Sequence, residues 1–364
     1  MQVTAAVSRG PDSPFTLETV ELDEPRADEV LVRIVATGLC HTDLFTKAAL
    51  PRAAGPAVLG HEGAGIVVDV GSRVSGVAPG DHVILSYRHC GDCDQCRSAG
   101  PAYCVDAHRL NSSGRRADGS ATVTQNGESV RAAFFGQSSF AEHVLATADN
   151  VVVVVVDKSV DLAAAAPLGC GFQTGAGAVL NVLRPGRDSS VVVFGAGSVG
   201  FAALLAARSA GVATLLAVDP VPARRALAEE FGAVALDPGS QDAVASIRAA
   251  TGGGATHALD TTGIPAVIGQ ALSCLRARGS AVVVGLGAPE VVVNIQDLML
   301  SGKTLRGCVE GDSSVQQFIP QLLALHADGK FPFDRLVTEY RFDDINRAVA
   351  DQAAGTVIKP VLVW

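Results

Sequence analysis

The sequence predicts an α/β protein of two domains, one strand-rich and the other built on a doubly wound parallel sheet. Three observations carry this. The chain has 364 residues, 48% of them hydrophobic, enough for two well-filled cores at about 100 to 200 residues per domain. Its first third is a succession of short β-branched runs punctuated by Gly and Pro. After Arg184-Pro185-Gly186, short apolar runs alternate with helix-like stretches, which specifies βαβ units with right-handed crossovers.

In chain order, residues 30–36 and 65–70 are β-branched runs, and Gly55-Pro56 and Pro79-Gly80 mark turns. Residues 111–127 are polar and rich in Gly and Ser, with Gly114, Arg115, Arg116 and Gly119 among them, and are expected to form an exposed excursion. The valines at 151–156 are comfortable only as a strand. Residues 191–194, 214–218, 257–260 and 281–284 read as strands, and 201–210 and 223–231 as helices. The tail from about residue 309 is mixed and ends in a strand-like run at 358–364. Residues 189–207 carry no charge and are long enough to cross a bilayer. Gly195, Gly197 and Gly200 interrupt them, however, and a strand, a glycine turn and a helix explain them better.

The formal net charge is −9, which argues against a binder of nucleic-acid backbone. The start, MQVTAAVSRG, lacks the charged and apolar regions of a secretory signal. A reducing, cytoplasmic setting is therefore expected, where clustered cysteines act as metal ligands or catalysts.

The strongest motif is Cys90-x2-Cys93-x2-Cys96-x7-Cys104. Four thiolates on one short lobe can close a tetrahedral zinc site, and four protein ligands leave no open position, so its role is structural. A redox CxxC fits the regular spacing poorly. A second set is dispersed: Cys40 in GLCHTD, His61 and Glu62 in GHEGAG, and Cys170 in PLGCGFQTG. Singly, each also reads as a small buried hydrophobe or as surface polarity. Together they supply the inventory of a three-ligand catalytic zinc. The third motif is Gly195-x-Gly197-x-x-Gly200, after an apolar run and before a helical stretch. Its glycines allow the tight turn, the approach of pyrophosphate and close helix–strand packing, and the helix N-terminus at Ser198 and Val199 offers free N–H groups. Asp219, at the end of the next strand, suits the adenosine ribose hydroxyls and repels a 2′-phosphate, favouring NAD.

The order and spacing of GLCHTD, GHEGAG, the four-cysteine lobe, PLGCGFQTGAG, FGAGSVG and IKPVLVW resemble a zinc-dependent medium-chain alcohol dehydrogenase over essentially the whole chain. FFGQSSFAEH and KFPFDRLVTEYRFDDIN are most similar to the bacterial aryl-alcohol and geraniol type. The resemblance implies a GroES-like β-rich catalytic domain at 1–171 and 310–364, an inserted Rossmann coenzyme domain at 172–309, and an active site in the cleft between them. It makes Cys40, His61 and Cys170 the catalytic zinc ligands, with Glu62 able to approach the metal and Asp43 orienting His61. Zinc would act as a Lewis acid on the alcohol, whose hydride passes to nicotinamide C4, and Thr42 would take the hydroxyl proton.

Two departures from the liver-type pattern stand out. Phe45 replaces a histidine that often ends the proton relay, and His41, a weaker and pH-dependent cation, replaces an arginine on the pyrophosphate. Arg224 and Lys359 match basic residues near the ribose and the pyrophosphate, although both also read as surface charges. Phe45, Ser86, Phe135, Phe140 and Leu286 match positions that line the substrate pocket, giving a mostly apolar slot for an aromatic or unsaturated alcohol. A homodimer or homotetramer follows from family habit. An aliphatic or polyol dehydrogenase, and a catalytically silent NAD- and zinc-binding regulator, remain open alternatives. The other histidines read as surface or satisfied groups, and Cys274 and Cys308 as buried hydrophobes.

Overall fold

The computed structural model describes residues 1–98, 100–147 and 153–364. The chain divides into two compact units, Met1–Cys170 with Ser314–Gln321 and Val337–Trp364, and Gly171–Ser313 with Leu322–Leu336. The sequence reading gave everything past residue 310 to the first unit. The structure places Leu322–Leu336 in the second, because its side chains find partners there. Phe333 packs 5.9 Å from Phe172, and Arg335 bonds Glu230 and lies over the Phe231 ring.

The first unit is β-rich. Among the described residues, one sheet runs Ala57–Val58, Gln2–Ser8, Thr16–Leu22, Val123–Gln125 and Glu128–Val130. A second runs Val153–Val156, His82–Leu85, Gly63–Val70, Glu29–Gly38, Lys359–Val363 and Val337–Arg341, with His143–Thr147 also on Glu29–Gly38. Their inward faces share one core that includes Val3, Val20, Ile34, Val83, Phe140 and Leu362. Of the six valines, the last four form a strand, and residues 151 and 152 lie outside the described residues. The expected excursion at 111–127 is instead tied to the body. Arg116 is 7% exposed and holds the carboxylate of buried Glu29 through two bonds of 2.7 and 3.0 Å. A third bond, of 2.7 Å, goes to Asp23. A polar, glycine-rich stretch packs inward here because each buried charge has an opposite partner.

The second unit carries six parallel strands in the order Val234–Leu236, Thr214–Val218, Ser190–Phe194, Ala255–Asp260, Leu275–Val283, Thr304–Gly307. In chain order this is 3-2-1-4-5-6, the doubly wound arrangement whose switch point lies beside the first strand. Every residue of Ser190–Phe194 is buried, as a strand covered on both faces requires. The helix Ser198–Ser209 buries eight consecutive residues, Gly200 to Ala207. The uncharged stretch at 189–207 is therefore one buried strand, a turn and one buried helix. Among the described residues no helix is long and apolar enough to cross a membrane.

Candidate active site

Cys40 is the N-cap of the helix His41–Ala49. The first-turn backbone N–H groups of a helix need acceptors, and Asp43 supplies one, its Oδ2 accepting from Cys40 N at 3.0 Å. Its Oδ1 accepts from Gly60 N at 3.0 Å and lies 2.8 Å from His61 Nδ1. Asp43 and His61 are both fully buried. With Nδ1 committed to the carboxylate, the lone pair of His61 belongs to Nε2, which is buried without a hydrogen-bond partner. Cys40, His61, Glu62 and Cys170 each place one ligand atom within 4.8 Å of the others, and all four are buried. Two sulfurs, an unsatisfied imidazole nitrogen and an adjacent carboxylate fit a zinc ion with an open position.

The Cys40 thiol is held well below its usual range by a hydrogen bond with Cys170, helped against burial by the charges of Lys359 and His61. Burial works against a charged His61, yet the Asp43 carboxylate and the Cys40 thiolate outweigh it and raise its pKa well above the ordinary value. Burial pushes the Glu62 carboxyl up to about 7, with Lys359 opposing and Cys40 adding. Lys359 is wholly buried, its Nζ 2.5 Å from Glu62 Oε2 and 3.1 Å from Leu39 O.

Cys90, Cys93, Cys96 and Cys104 gather in the same unit, again within 4.8 Å. Tetrahedral bonds of ~2.3 Å require sulfurs about 3.8 Å apart. Cys93 and Cys90 stand 3.5 and 3.9 Å from Cys96. Backbone N–H groups of Cys90 and Cys93 donate to Cys104 Sγ and Cys90 Sγ at 3.3 and 3.4 Å, as thiolates need. Backbone donors at Val105 and Cys96 pull the Cys93 thiol down to about 6. Burial and the Cys93 thiol push Cys96 up to about 12. Crowded thiols that cannot all ionise alone are a set waiting for a cation.

In the second unit the glycine turn sits at the switch point. Gly195 has φ +89°, and a Cβ at Gly200 would stand 1.9 Å from Gly195 O, so only glycine lets strand and helix close up. Gly197 is the N-cap of the helix that opens with Ser198 and Val199. Asp219, 2% exposed, accepts from Ala196 N at 2.7 Å and Val221 N at 2.8 Å. Arg224 Nη1 lies 3.7 Å from Asp219 Oδ2, and its Nε is buried without a partner.

The alcohol dehydrogenase GroES-like domain family matches residues 26–156, and the zinc-binding dehydrogenase family matches 198–327. A geraniol dehydrogenase of Castellaniella defragrans is 48% identical over 365 residues, covering 99% of this chain and 97% of that protein. Among solved structures, an alcohol dehydrogenase zinc-binding domain protein from Burkholderia ambifaria is similar with TM-score 0.96 at 48% identity. Benzyl alcohol dehydrogenase from Acinetobacter calcoaceticus is similar with TM-score 0.95 at 42% identity. Both matches cover 100% of this chain and 99% of the other. The chain belongs to the zinc-dependent alcohol dehydrogenase family.

This alcohol dehydrogenase treats its expected pocket residues unevenly. Phe135 is half-buried, its ring 4.5 Å from that of His61. Ser86 is fully buried and donates its hydroxyl to Gly169 O at 2.6 Å. Phe140 lies in the core of the β-rich unit, edge-on to Phe15 at 5.7 Å. Phe45 and Leu286 are 43% and 51% exposed, in different units. His41 is exposed and Thr42 half-buried at the start of the helix that follows Cys40. Lys359 is no surface charge: burial opposite Glu62 holds its ammonium on that carboxylate. Cys274 and Cys308 are buried, 0% and 5% exposed. His82, His89 and His143 each carry a buried Nδ1 with no hydrogen-bond partner, although that of His143 lies 3.9 Å from Glu142 Oε1.

Two neighbours of His61 escaped the sequence reading. Phe134 sets its ring edge-on at 5.4 Å, and Gln137 bonds the His61 backbone. The available signal was the polar Gln137-Ser138-Ser139 held between aromatics.

Proposed function

We propose that this dehydrogenase reversibly oxidises primary aryl or allylic alcohols to aldehydes with NAD. It would hold two zinc ions per chain, one at Cys40, His61 and Cys170 and one at the four-cysteine lobe. The observation that carries the substrate class is the aromatic packing on one donor, the half-buried Phe135 ring 4.5 Å from that of His61 with the buried Phe134 ring edge-on at 5.4 Å. Such packing favours a flat, conjugated alcohol over a polyol, whose hydroxyls would lose their partners. The relatives named for geraniol and benzyl alcohol support it. Family resemblance alone extends the reading to a cytoplasmic homodimer or homotetramer.

When bound, zinc supplies a Lewis acid that draws a hydroxyl pKa towards neutrality, and the nicotinamide supplies the hydride acceptor. The chain's own residues do the positioning. Asp43 fixes the His61 ring so that Nε2 faces the two sulfurs. Thr42 Oγ1, in the first turn after Cys40, would accept the alcohol proton while handing its own to the nicotinamide ribose, and Phe45 provides no imidazole to continue the relay beyond it. Gly195, Gly197, Gly200 and the helix N-terminus at Ser198 and Val199 receive the pyrophosphate. The Asp219 carboxylate accepts from the ribose hydroxyls and disfavours a 2′-phosphate, with Arg224 beside it.

The test is kcat/KM over ethanol, hexanol, sorbitol, benzyl alcohol and geraniol, each with NAD and NADP. Benzyl alcohol or geraniol leading with NAD is expected. Ethanol or sorbitol leading would overturn the substrate class, and no turnover would return the regulator alternative.

A further inference from the structure

The zinc donors come from three separate stretches of chain, and a residue outside all of them joins two. Gln137 is 1% exposed. Its Nε2 donates to His61 O and to Ser86 O, each at 3.0 Å, and its Oε1 accepts from Gly63 N at 3.1 Å. Two carbonyls and one N–H define the amide's orientation, because the flipped form would set donor against donor. Gly63 admits the amide: a Cβ there would stand 3.0 Å from Gln137 Oε1 and 2.8 Å from Ser139 Cβ. Ser86 then passes the connection on through its hydroxyl bond to Gly169 O, the residue before Cys170. An unbroken hydrogen-bonded path thus runs from the His61 backbone through Gln137 and Ser86 to the Cys170 turn.

The segment that presents Gln137 is itself over-determined. Phe135 and Ser138 adopt left-handed backbone, φ 52° and 53°, a conformation that persists in such residues only where the surroundings enforce it. Ser138 Oγ accepts from Phe134 N at 2.9 Å and donates to Val58 O at 2.7 Å. Ser139 N donates to Gly60 O at 2.9 Å, and its hydroxyl pairs with Thr37 Oγ1 at 2.7 Å.

We propose that Gln137 is a positioning residue of the catalytic centre, its amide holding the His61 and Cys170 segments at the separation one metal ion needs. This rests on reading Cys40, His61 and Cys170 as the catalytic zinc ligands. Gln137 acts on them through backbone and Ser86, and its bonds are local to a dry site where a lost partner cannot be replaced by water.

The test uses the zinc-loaded holoenzyme and follows zinc transfer to 4-(2-pyridylazo)resorcinol in wild type, Gln137→Met and Gln137→Asn. The phase from the four-cysteine lobe is identified as the one missing in Cys104→Ser. Methionine keeps length and volume without hydrogen bonds, and asparagine keeps the amide but is too short for all three. The expected result is release from the catalytic site about tenfold faster in Gln137→Met, a smaller effect in Gln137→Asn, and an unchanged lobe phase. The visible spectrum of cobalt substituted at the catalytic site should shift in the same order. Unchanged release and spectrum in both variants would overturn the proposal, as would equal acceleration of both phases, which reports general loosening. If Gln137→Met does not fold, Gln137→Asn decides by the same comparison. A wild type that holds only the lobe zinc would overturn the catalytic-zinc reading itself, a result separate from any effect of Gln137.

Discussion

Replacing Asp43 by Asn tests how His61, a proposed zinc ligand, is held. The carboxylate accepts from three buried donors, Cys40 N, Gly60 N and His61 Nδ1, at 3.0, 3.0 and 2.8 Å. Asparagine has the same shape but only one acceptor oxygen. In its better orientation Oδ1 keeps His61 and Gly60, while Nδ2 meets the Cys40 N–H, donor against donor. One bond to a charged group is lost, worth about 1.5 to 3 kcal/mol, and a buried donor is left unpaired. The bond retained by His61 is also weaker, since its acceptor is now neutral, so the imidazole is a poorer ligand. Loss of a partner of this kind lowers metal affinity by about 10- to 100-fold, or about 1.4 to 2.7 kcal/mol at 1.36 kcal/mol per decade. Zinc affinity by chelator competition should fall by that factor, with kcat/KM falling alongside it. If thermal stability drops while zinc affinity and kcat/KM stay within twofold of wild type, Asp43 is a helix cap and the orienting argument is wrong.

Two further predictions concern charge and the second metal set. Glu62 has a folded pKa of about 7, above its ordinary 4.5, because burial disfavours its charge. The protonated form is thus favoured in the fold, and the stability this contributes is full below pH 4.5 and lost as pH rises through about 7. In chelated, zinc-free protein, Glu62→Gln should flatten the decline of Tm across that window; an unaltered slope would show that Glu62 does not titrate there. Cys104→Ser should remove one zinc equivalent, since three thiols do not close the set, and lower Tm by roughly 5 °C or more, as loss of ~2 kcal/mol does in a domain of this size. Full zinc content in that variant would contradict the quartet.

What could be read from the sequence was what the chain keeps close together. The cysteine lobe and the glycine turn each sit on one short segment, so their spacing already states their geometry. The parallel sheet was legible for a similar reason, its strands and helices alternating at a regular interval. Contacts between distant segments were not legible. Arg116 reaches Glu29 from 87 positions away, and Gln137 reaches His61 from 76. Polar residues flanked by glycine or serine look solvated until the burial of their partners is known. The same holds for Ser86, which occupies a pocket position in the family pattern but turns its hydroxyl to backbone.

The charges around His61 give an independent argument for a divalent ion. Cys40, Cys170, Glu62 and Asp43 are four potential anions in one buried neighbourhood. Lys359 is the fixed cation that meets them among the described residues, and it sits on Glu62. Without a metal the excess must be relieved by protonation, and the pKa directions show where. The Cys40 thiolate adds to the burial that drives Glu62 up, and it helps Asp43 draw a second proton onto His61. A protonated imidazole cannot be a ligand, so any proton drawn onto His61 is one that zinc must displace. Zinc binding should therefore release protons in proportion to that occupancy, and it converts a costly cluster of buried anions into a neutralised one. A donor set too negative by itself fits the proposal that a zinc ion belongs there.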